Sequence, residues 1–287
     1  MTETRLPFFG VVRVSGAERA AFLHNQLSND IEHLTEHAAY ATYNTPQGRV
    51  LADMLVVPRT DDICLLMAAD LTEKIVKRLR MFVLRAKVEL NVDESLAVAG
   101  RLPETVGDFA LPATPPLQLP LSQENGVLCV SLPHGGEILL GAAEQLPAYD
   151  AAAENRWQLH EIACGFPHIA AATGESSVAQ MLNQHLLGGV HFKKGCYPGQ
   201  EIIARAQYRG QVRRGLATYH AAQVLPAGAK VLAADGSDVG VVLNSARDDS
   251  GSLNLCVVKH DAARQTLTAD QQALSLHRLF FSTKEDA

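Results

Sequence analysis

The sequence has few cysteines, and none of them form a recognisable pair. The five cysteines stand far apart at positions 64, 129, 164, 196 and 256, and no Cys-x-x-Cys motif occurs. An odd number of widely separated thiols argues against a disulfide framework and against a preformed zinc or iron–sulfur site within one chain. We therefore predict no metal site.

Long apolar segments are also missing. No uninterrupted apolar run reaches the roughly 18 residues that are needed to span a bilayer. Residues 1–5 do not place a basic segment before an apolar one, as a secretion signal does. The sequence therefore predicts a cytoplasmic protein without a membrane partner.

Positive charge is in the minority. The chain has 25 Lys and Arg residues against 31 Asp and Glu residues, so its formal net charge is −6. Since a nucleic-acid binder is usually basic, we expect no stable direct contact with nucleic acid. Residues 193–214 are an exception, with six Lys or Arg residues and a single Glu. This segment could attract an anionic ligand, and a solvated charged surface is the alternative.

The pattern of apolar residues indicates an α+β fold. With 287 residues, 47 % of them hydrophobic, the chain can form one large or two modest domains. Strands are predicted at 8–14, 38–44, 49–57, 63–68 and 86–92. A first helix is predicted from Ser15 as its N-cap to about Leu27, and a second over 70–82. This order predicts helices on one face of a mainly antiparallel sheet.

The second half of the chain divides at a proline-rich stretch. Five prolines within residues 102–126 exclude a continuous helix, so this stretch is predicted to connect two lobes. Strands near 127–132 and 137–141 and a helix over about 150–164 follow. Later strands near 212–220, 229–234, 238–244, 253–259 and 276–282 predict a small barrel or sandwich. The predicted domains are 1–100, 101–210 and 211–287, with a β-barrel as the last.

The most informative segment is Lys-Lys-Gly-Cys-Tyr-Pro-Gly-Gln-Glu at residues 193–201. Its two glycines and its proline predict a shaped loop that holds Cys196 in a set position. A neighbouring lysine favours the thiolate, which is the nucleophilic form of cysteine. The alternative is a surface turn with a buried, inert cysteine.

Several segments resemble one known family. Lys-Gly-Cys-Tyr-x-Gly-Gln-Glu stands complete at residues 194–201, and residues 202–205 and 209–214 fit the stretch that follows it. Residues 16–30 and 45–51 are similar to the family's N-terminal helix and to the next turn and strand. The sequence thus resembles the YgfZ family of folate-binding proteins, relatives of the T-protein, the aminomethyltransferase of the glycine cleavage system.

The resemblance implies both a fold and a function. The implied fold is a T-protein-like, folate-binding core of mainly antiparallel sheets with helices and a C-terminal β-barrel. The implied cofactor is tetrahydrofolate or a one-carbon derivative. The implied role is assistance to iron–sulfur client enzymes in cluster assembly or repair, with tRNA methylthiolation as a downstream effect and Cys196 as the functional thiol. The alternatives are a folate-dependent aminomethyltransferase and a non-catalytic scaffold that folate stabilises.

Two positions depart from the T-protein pattern. Asp53 matches the acidic residue beside the reactive pterin nitrogens and could accept a proton, but Ala52 replaces the other half of the acidic pair. An outward-facing strand aspartate is the alternative. The T-protein glutamate that holds the pterin aligns with Ala163 when counted from Gly165. Glu161 is then displaced by two residues and is predicted to face elsewhere. Both departures argue against true aminomethyl transfer.

The side chains around Cys196 suit a folate. An aromatic ring can stack on a pterin, amides and carboxylates can bind its edge, and arginine suits the carboxylates of the tail. The predicted binding residues, without individual roles, are Lys194, Tyr197, Gln200, Glu201, Arg205 and Arg209. His185 and His191 precede Cys196 and leave a Cys-His nucleophile or a zinc site as an alternative.

Overall fold

A computed structural model describes residues 1–104, 109–210 and 212–282. Sixteen strands and four α-helices are assigned in these ranges. Ten strands form one sheet in the order β1-β7-β10-β9-β8-β3-β4-β5-β2-β6, and every pairing is antiparallel. Its strands are β1 Thr2–Arg5, β2 Phe9–Ser15, β3 His37–Asn44, β4 Val50–Pro58, β5 Asp62–Ala68, β6 Glu89–Val92, β7 Leu96–Leu102, β8 Leu119–Glu124, β9 Val127–Ser131 and β10 Glu137–Ala142.

The central strands are buried on both faces. All nine residues of β4 are buried, which fits its nearly continuous apolar sequence. Met54 and Val56 contact the core cluster that contains the residues of the first two helices, whereas Leu55 and Val57 contact a second cluster. The second cluster joins β4 and β5 to β7, β9 and β10, so the two halves of the sheet pack against each other.

The remaining six strands close into a barrel, as predicted. Their order is β11-β14-β13-β12-β15-β16. The third core cluster, with the buried Tyr219 among its members, belongs to this barrel. The barrel strands are β11 Arg214–Ala221, β12 Lys230–Ala233, β13 Asp238–Asp248, β14 Gly251–Lys259, β15 Leu267–Ala269 and β16 Gln272–Leu279.

The helices are α1 Arg19–Gln26, α2 Thr72–Arg80, α3 Ala151–Cys164 and α4 Gln200–Tyr208. The predicted helix near 150–164 is confirmed, and the side chain of Asp150 caps it by accepting from the Ala153 amide at 2.9 Å. The prediction of Ser15 as a cap is wrong. Ser15 is the last residue of β2, and Gly16 follows with φ +101°, a left-handed conformation that ends the strand before α1 can begin.

Three features differ from the predicted connections. The proline-rich stretch 102–126 contains β8, which joins the two halves of the sheet through two residue pairs with β3, one of them His37↔Pro120. β1 and β7 at one end of the sheet and the short β15 in the barrel were not predicted. The segment 193–201 was predicted as a loop, but helix α4 begins within it, at Gln200. Gln211, which belongs to the stretch resembling the YgfZ family, lies outside the described residues.

The division into residues 1–100, 101–210 and 211–287 stays a prediction. Strands from both of the first two ranges belong to one sheet. Within the described ranges, no helix is long and apolar enough to cross a membrane.

Candidate functional site

A cavity of about 200 Å³ lies between α3, the segment that connects β1 to β2, and the barrel strand β13. Its walls are mostly apolar and aromatic, with a few polar groups between them. This combination is typical of small-molecule sites. The lining residues that matter here are Phe8, Phe9, Trp157, Glu161, His168 and Asn244.

Helix α3 presents one face to this cavity. Glu154, Trp157, Gln158 and Glu161 all line it, at the three- and four-residue spacing of one helix face. The prediction that Glu161 faces elsewhere is therefore wrong. Ala163 is the position that is reached by counting back from Gly165. It lies on another side of the helix and packs against the core cluster that contains the first two helices.

Asp53 lies on β4 next to the cavity, beside Glu161 and His168 in a smaller adjoining space. Its side chain is buried, so the alternative of an outward-facing aspartate is wrong. The backbone amide of Ile169 donates to Asp53 Oδ1 at 2.7 Å. This bond holds the side chain of Asp53 against the segment that follows α3.

His168 bridges the two buried carboxylates. Its Nε2 lies 3.0 Å from Glu161 Oε2, and its Nδ1 lies 3.7 Å from Asp53 Oδ2. Asn244 of the barrel holds the backbone of His168 with two hydrogen bonds, one in each direction, at 2.9 and 3.0 Å. The ring also contacts Phe9 edge-on, with the two centroids 5.1 Å apart.

The pKa values of His168 and Glu161 are set by burial and by the neighbouring charged groups. Burial alone would lower the pKa of His168, but the carboxylates of Glu161 and Asp53 raise it to about 10. Burial alone would raise the pKa of Glu161, yet the His168 imidazolium holds it below its usual value. The site therefore contains a buried imidazolium beside the Glu161 carboxylate, with the side chain of Asp53 on its other side.

Cys196 lies in a loop that is fixed at two points, the first being Lys194. The Lys194 ammonium donates to the backbone carbonyl of Leu27 at 2.7 Å and to that of His24, at the C-terminal end of α1. It also lies over the ring of Tyr197, 5.0 Å from the centroid. Burial lowers the pKa of Lys194 to about 8. The carbonyls of a helix end attract a cation, so this ammonium binds the loop to α1.

The second point is Gly199. Its φ is +81°, and an added Cβ would lie 2.5 Å from the Thr45 carbonyl oxygen and 2.8 Å from Gly48 Cα. Only a glycine allows this approach between the Cys196 loop and the turn that joins β3 to β4. The loop therefore packs backbone against backbone on that turn.

Cys196 itself is exposed, and the other four cysteines are buried. The alternative of a buried, inert Cys196 is wrong. Burial raises the pKa of Cys64 and of Cys164 to about 12, which keeps both as neutral thiols. Cys196 is thus the cysteine that an external reagent or partner can reach.

Helix α4 follows directly and carries the other predicted binding residues. Gln200 begins it, Glu201, Arg205 and Arg209 are exposed, and Ile203 is buried beneath them. The structure brings Lys194, Cys196 and Tyr197 together in one loop. None of the predicted residues of loop or helix is among those that line the central cavity.

The sequence did not indicate His168, Trp157 or Asn244. His168 had one weak signal, since it follows a Gly-Phe-Pro segment directly after a predicted helix. Across the described ranges, no group of three or more His, Cys, Asp or Glu side chains is placed to hold a metal ion. His185 and His191 therefore gain no support as zinc ligands.

The fold is that of the glycine cleavage T-protein. The aminomethyltransferase T of Bartonella henselae superposes with a TM-score of 0.68, at 12 % identity, over 97 % of this chain and 86 % of that one. This likeness confirms the predicted fold class. No protein-family model matches the chain.

Curated relatives give the family. The tRNA-modifying protein YgfZ of Photorhabdus laumondii is 30 % identical over 229 residues, which are 75 % of this chain and 70 % of that protein. The proteins of the same name from Colwellia psychrerythraea and an Enterobacter species are 29 % and 25 % identical, over 72 % and 99 % of this chain and over 68 % and 94 % of theirs. The complete motif at 194–201 and these relatives together show that the chain belongs to the YgfZ family.

Proposed function

We propose that this protein binds tetrahydrofolate or a one-carbon derivative and assists iron–sulfur enzymes in cluster assembly or repair through the thiol of Cys196. Support of tRNA modification follows from this role, in keeping with the name of its relatives. The observation that carries the proposal is the exposed Cys196 in a loop that is fixed at both ends.

The central cavity suits the ring end of a folate. Phe8, Phe9 and Trp157 supply aromatic surfaces for a flat heterocycle, and Glu161 supplies a buried acceptor for N–H groups at its edge. The cavity volume of about 200 Å³ is smaller than the roughly 300–1,000 Å³ of most ligand pockets. The ring system would therefore be enclosed and the glutamate tail would extend outwards. When bound, the folate would supply the one-carbon chemistry.

The protein's own groups would orient this ligand. His168 holds Glu161, the Ile169 amide holds Asp53, and Asn244 holds His168. Asp53 would accept or return a proton at the ligand. A participation of the α4 residues in folate binding stays a prediction.

The thiol half of the proposal is tested by Cys196→Ser in cells that lack the protein. The loop is held by Lys194 and Gly199 without the sulfur. We therefore expect an unchanged melting temperature, unchanged tetrahydrofolate binding by calorimetry, and loss of iron–sulfur enzyme activity. Cys129→Ser, at a buried cysteine, is the matched control and should rescue that activity.

Each rival predicts a different result. An aminomethyltransferase or a folate-stabilised scaffold would still rescue the cells as Cys196→Ser. A purely structural cysteine would lower the melting temperature. Absence of binding at millimolar tetrahydrofolate would refute the ligand half.

A further inference from the structure

Exposed basic and apolar side chains stand close to Cys196 in the sequence. We call this set of residues the thiol face. Its exposed residues are Lys193 and Cys196 in the loop and Ile202, Arg205, Tyr208 and Arg209 on and directly after α4.

The cations of the thiol face form no ion pair with the part of the chain that the structure describes. Among the described residues, no carboxylate lies within ion-pair distance of Lys193, Arg205 or Arg209. Glu201 is the single acidic residue between 193 and 214, while the whole chain carries a formal −6. Unpaired cations on an otherwise acidic molecule attract anionic groups from outside.

Large apolar side chains interrupt these charges. Tyr208 is 69 % exposed and Ile202 is 40 % exposed. The Tyr208 ring packs edge-on against Phe192, with a centroid distance of 5.8 Å, and remains accessible. Exposed tyrosine, isoleucine and arginine around a reactive group fit a protein interface, in which aromatic and arginine side chains supply most of the affinity.

We propose that the thiol face docks an acidic segment of a partner protein with an apolar centre, and so delivers the partner to Cys196. This inference rests on the proposed function and identifies the kind of partner that it serves. Aliphatic Ile202 offers nothing to a stacked base, so the mixture of side chains fits a protein better than RNA. Arg205 and Arg209 bind the acidic groups, and Ile202 and Tyr208 contact the apolar centre.

The test uses Cys196 as its own reporter. Three peptides carry one cysteine, activated as a thiopyridyl mixed disulfide, between alternating aspartates and leucines, lysines and leucines, or aspartates and serines. The Cys196 thiolate attacks the peptide sulfur, a new disulfide forms, and thiopyridone leaves and is measured by its absorbance. At about 10 mM ionic strength, where the Debye length is about 30 Å, the aspartate–leucine peptide should react about tenfold faster than the lysine peptide. It should also react faster than the aspartate–serine peptide.

Two double variants and one control double variant separate the contributions of the charges and of the apolar side chains. Arg205→Glu with Arg209→Glu should reverse the preference for the acidic peptide, while Lys230→Glu with Arg247→Glu on the barrel makes the same change in net charge and should keep it. Replacement of Ile202 and Tyr208 by serine should remove the advantage of leucine over serine and leave the charge preference.

Three results would overturn the inference. These are equal rates for the three peptides, a charge preference that survives the arginine substitutions, and protection of Cys196 by poly(U) but not by an aspartate–leucine peptide without cysteine. If the peptides show no preference but Cys196→Ser still fails to rescue cells, docking is wrong and the proposed function stands. If the preference is present and Cys196→Ser rescues, the proposed function is wrong.

Discussion

Replacing His168 by glutamine removes the imidazolium that lies between two buried acidic side chains. His168 lies 3.0 Å from Glu161 and 3.7 Å from Asp53, and their side chains are 6 % and 11 % exposed. Loss of one partner from a buried ion pair typically costs 3–5 kcal/mol, because an uncompensated charge stays behind. We expect His168→Gln to lower the free energy of unfolding by about 4 kcal/mol at pH 6.5. The matched control is His33→Gln, at a largely exposed ion pair with Asp30, which should cost less than about 1 kcal/mol.

The pH dependence makes this prediction sharper. The pKa of His168 is raised from 6.5 to about 10 in the folded protein. The contribution of His168 to the free energy of unfolding is thus complete at pH values below its pKa in the unfolded chain, and it is lost as the pH rises towards 10. Each pH unit between these values removes at most about 1.4 kcal/mol, so the difference between wild type and His168→Gln should shrink by about 2–3 kcal/mol from pH 6.5 to 8.5. Urea unfolding at both pH values measures it. A difference that does not change with pH would show that His168 is not held as an imidazolium.

Two further predictions concern the thiol and the cavity. Cys196 should be alkylated by iodoacetamide well before the other four cysteines, because it alone is exposed; equal labelling of all five by mass spectrometry would contradict its position. Glu161→Gln should weaken tetrahydrofolate binding about ten- to hundredfold in calorimetry, since a charged acceptor contributes roughly 1.5–3 kcal/mol to a hydrogen bond. Glu89→Gln, at an exposed strand position, is its control, and equal affinities of the two variants would remove Glu161 from the binding site.

Local signals in the sequence predicted the strands and the Cys196 loop better than the cavity. The apolar run of β4 and the glycines around Cys196 can be recognised from neighbouring residues, although the position of the loop also depends on its contacts with α1 and with the turn between β3 and β4. The cavity depends on contacts between distant residues, such as the bond from Ile169 to Asp53 across 116 positions. No periodicity in the sequence reports such a contact. Glu161 was misplaced because each helix residue turns the side-chain direction by about 100°, so the assumed displacement of two residues predicted a turn of about 200°.

The contact between Gly48 and Gly199 also connects the two parts of the molecule mechanically. Asp53 lies on β4, five residues after Gly48, and Gly199 lies three residues after Cys196. Since backbone touches backbone at this contact, no side chain can rotate to absorb a movement. We expect a ligand that displaces β4 at Asp53 to displace the loop of Cys196 as well. The position of the thiol would then report whether the cavity is occupied.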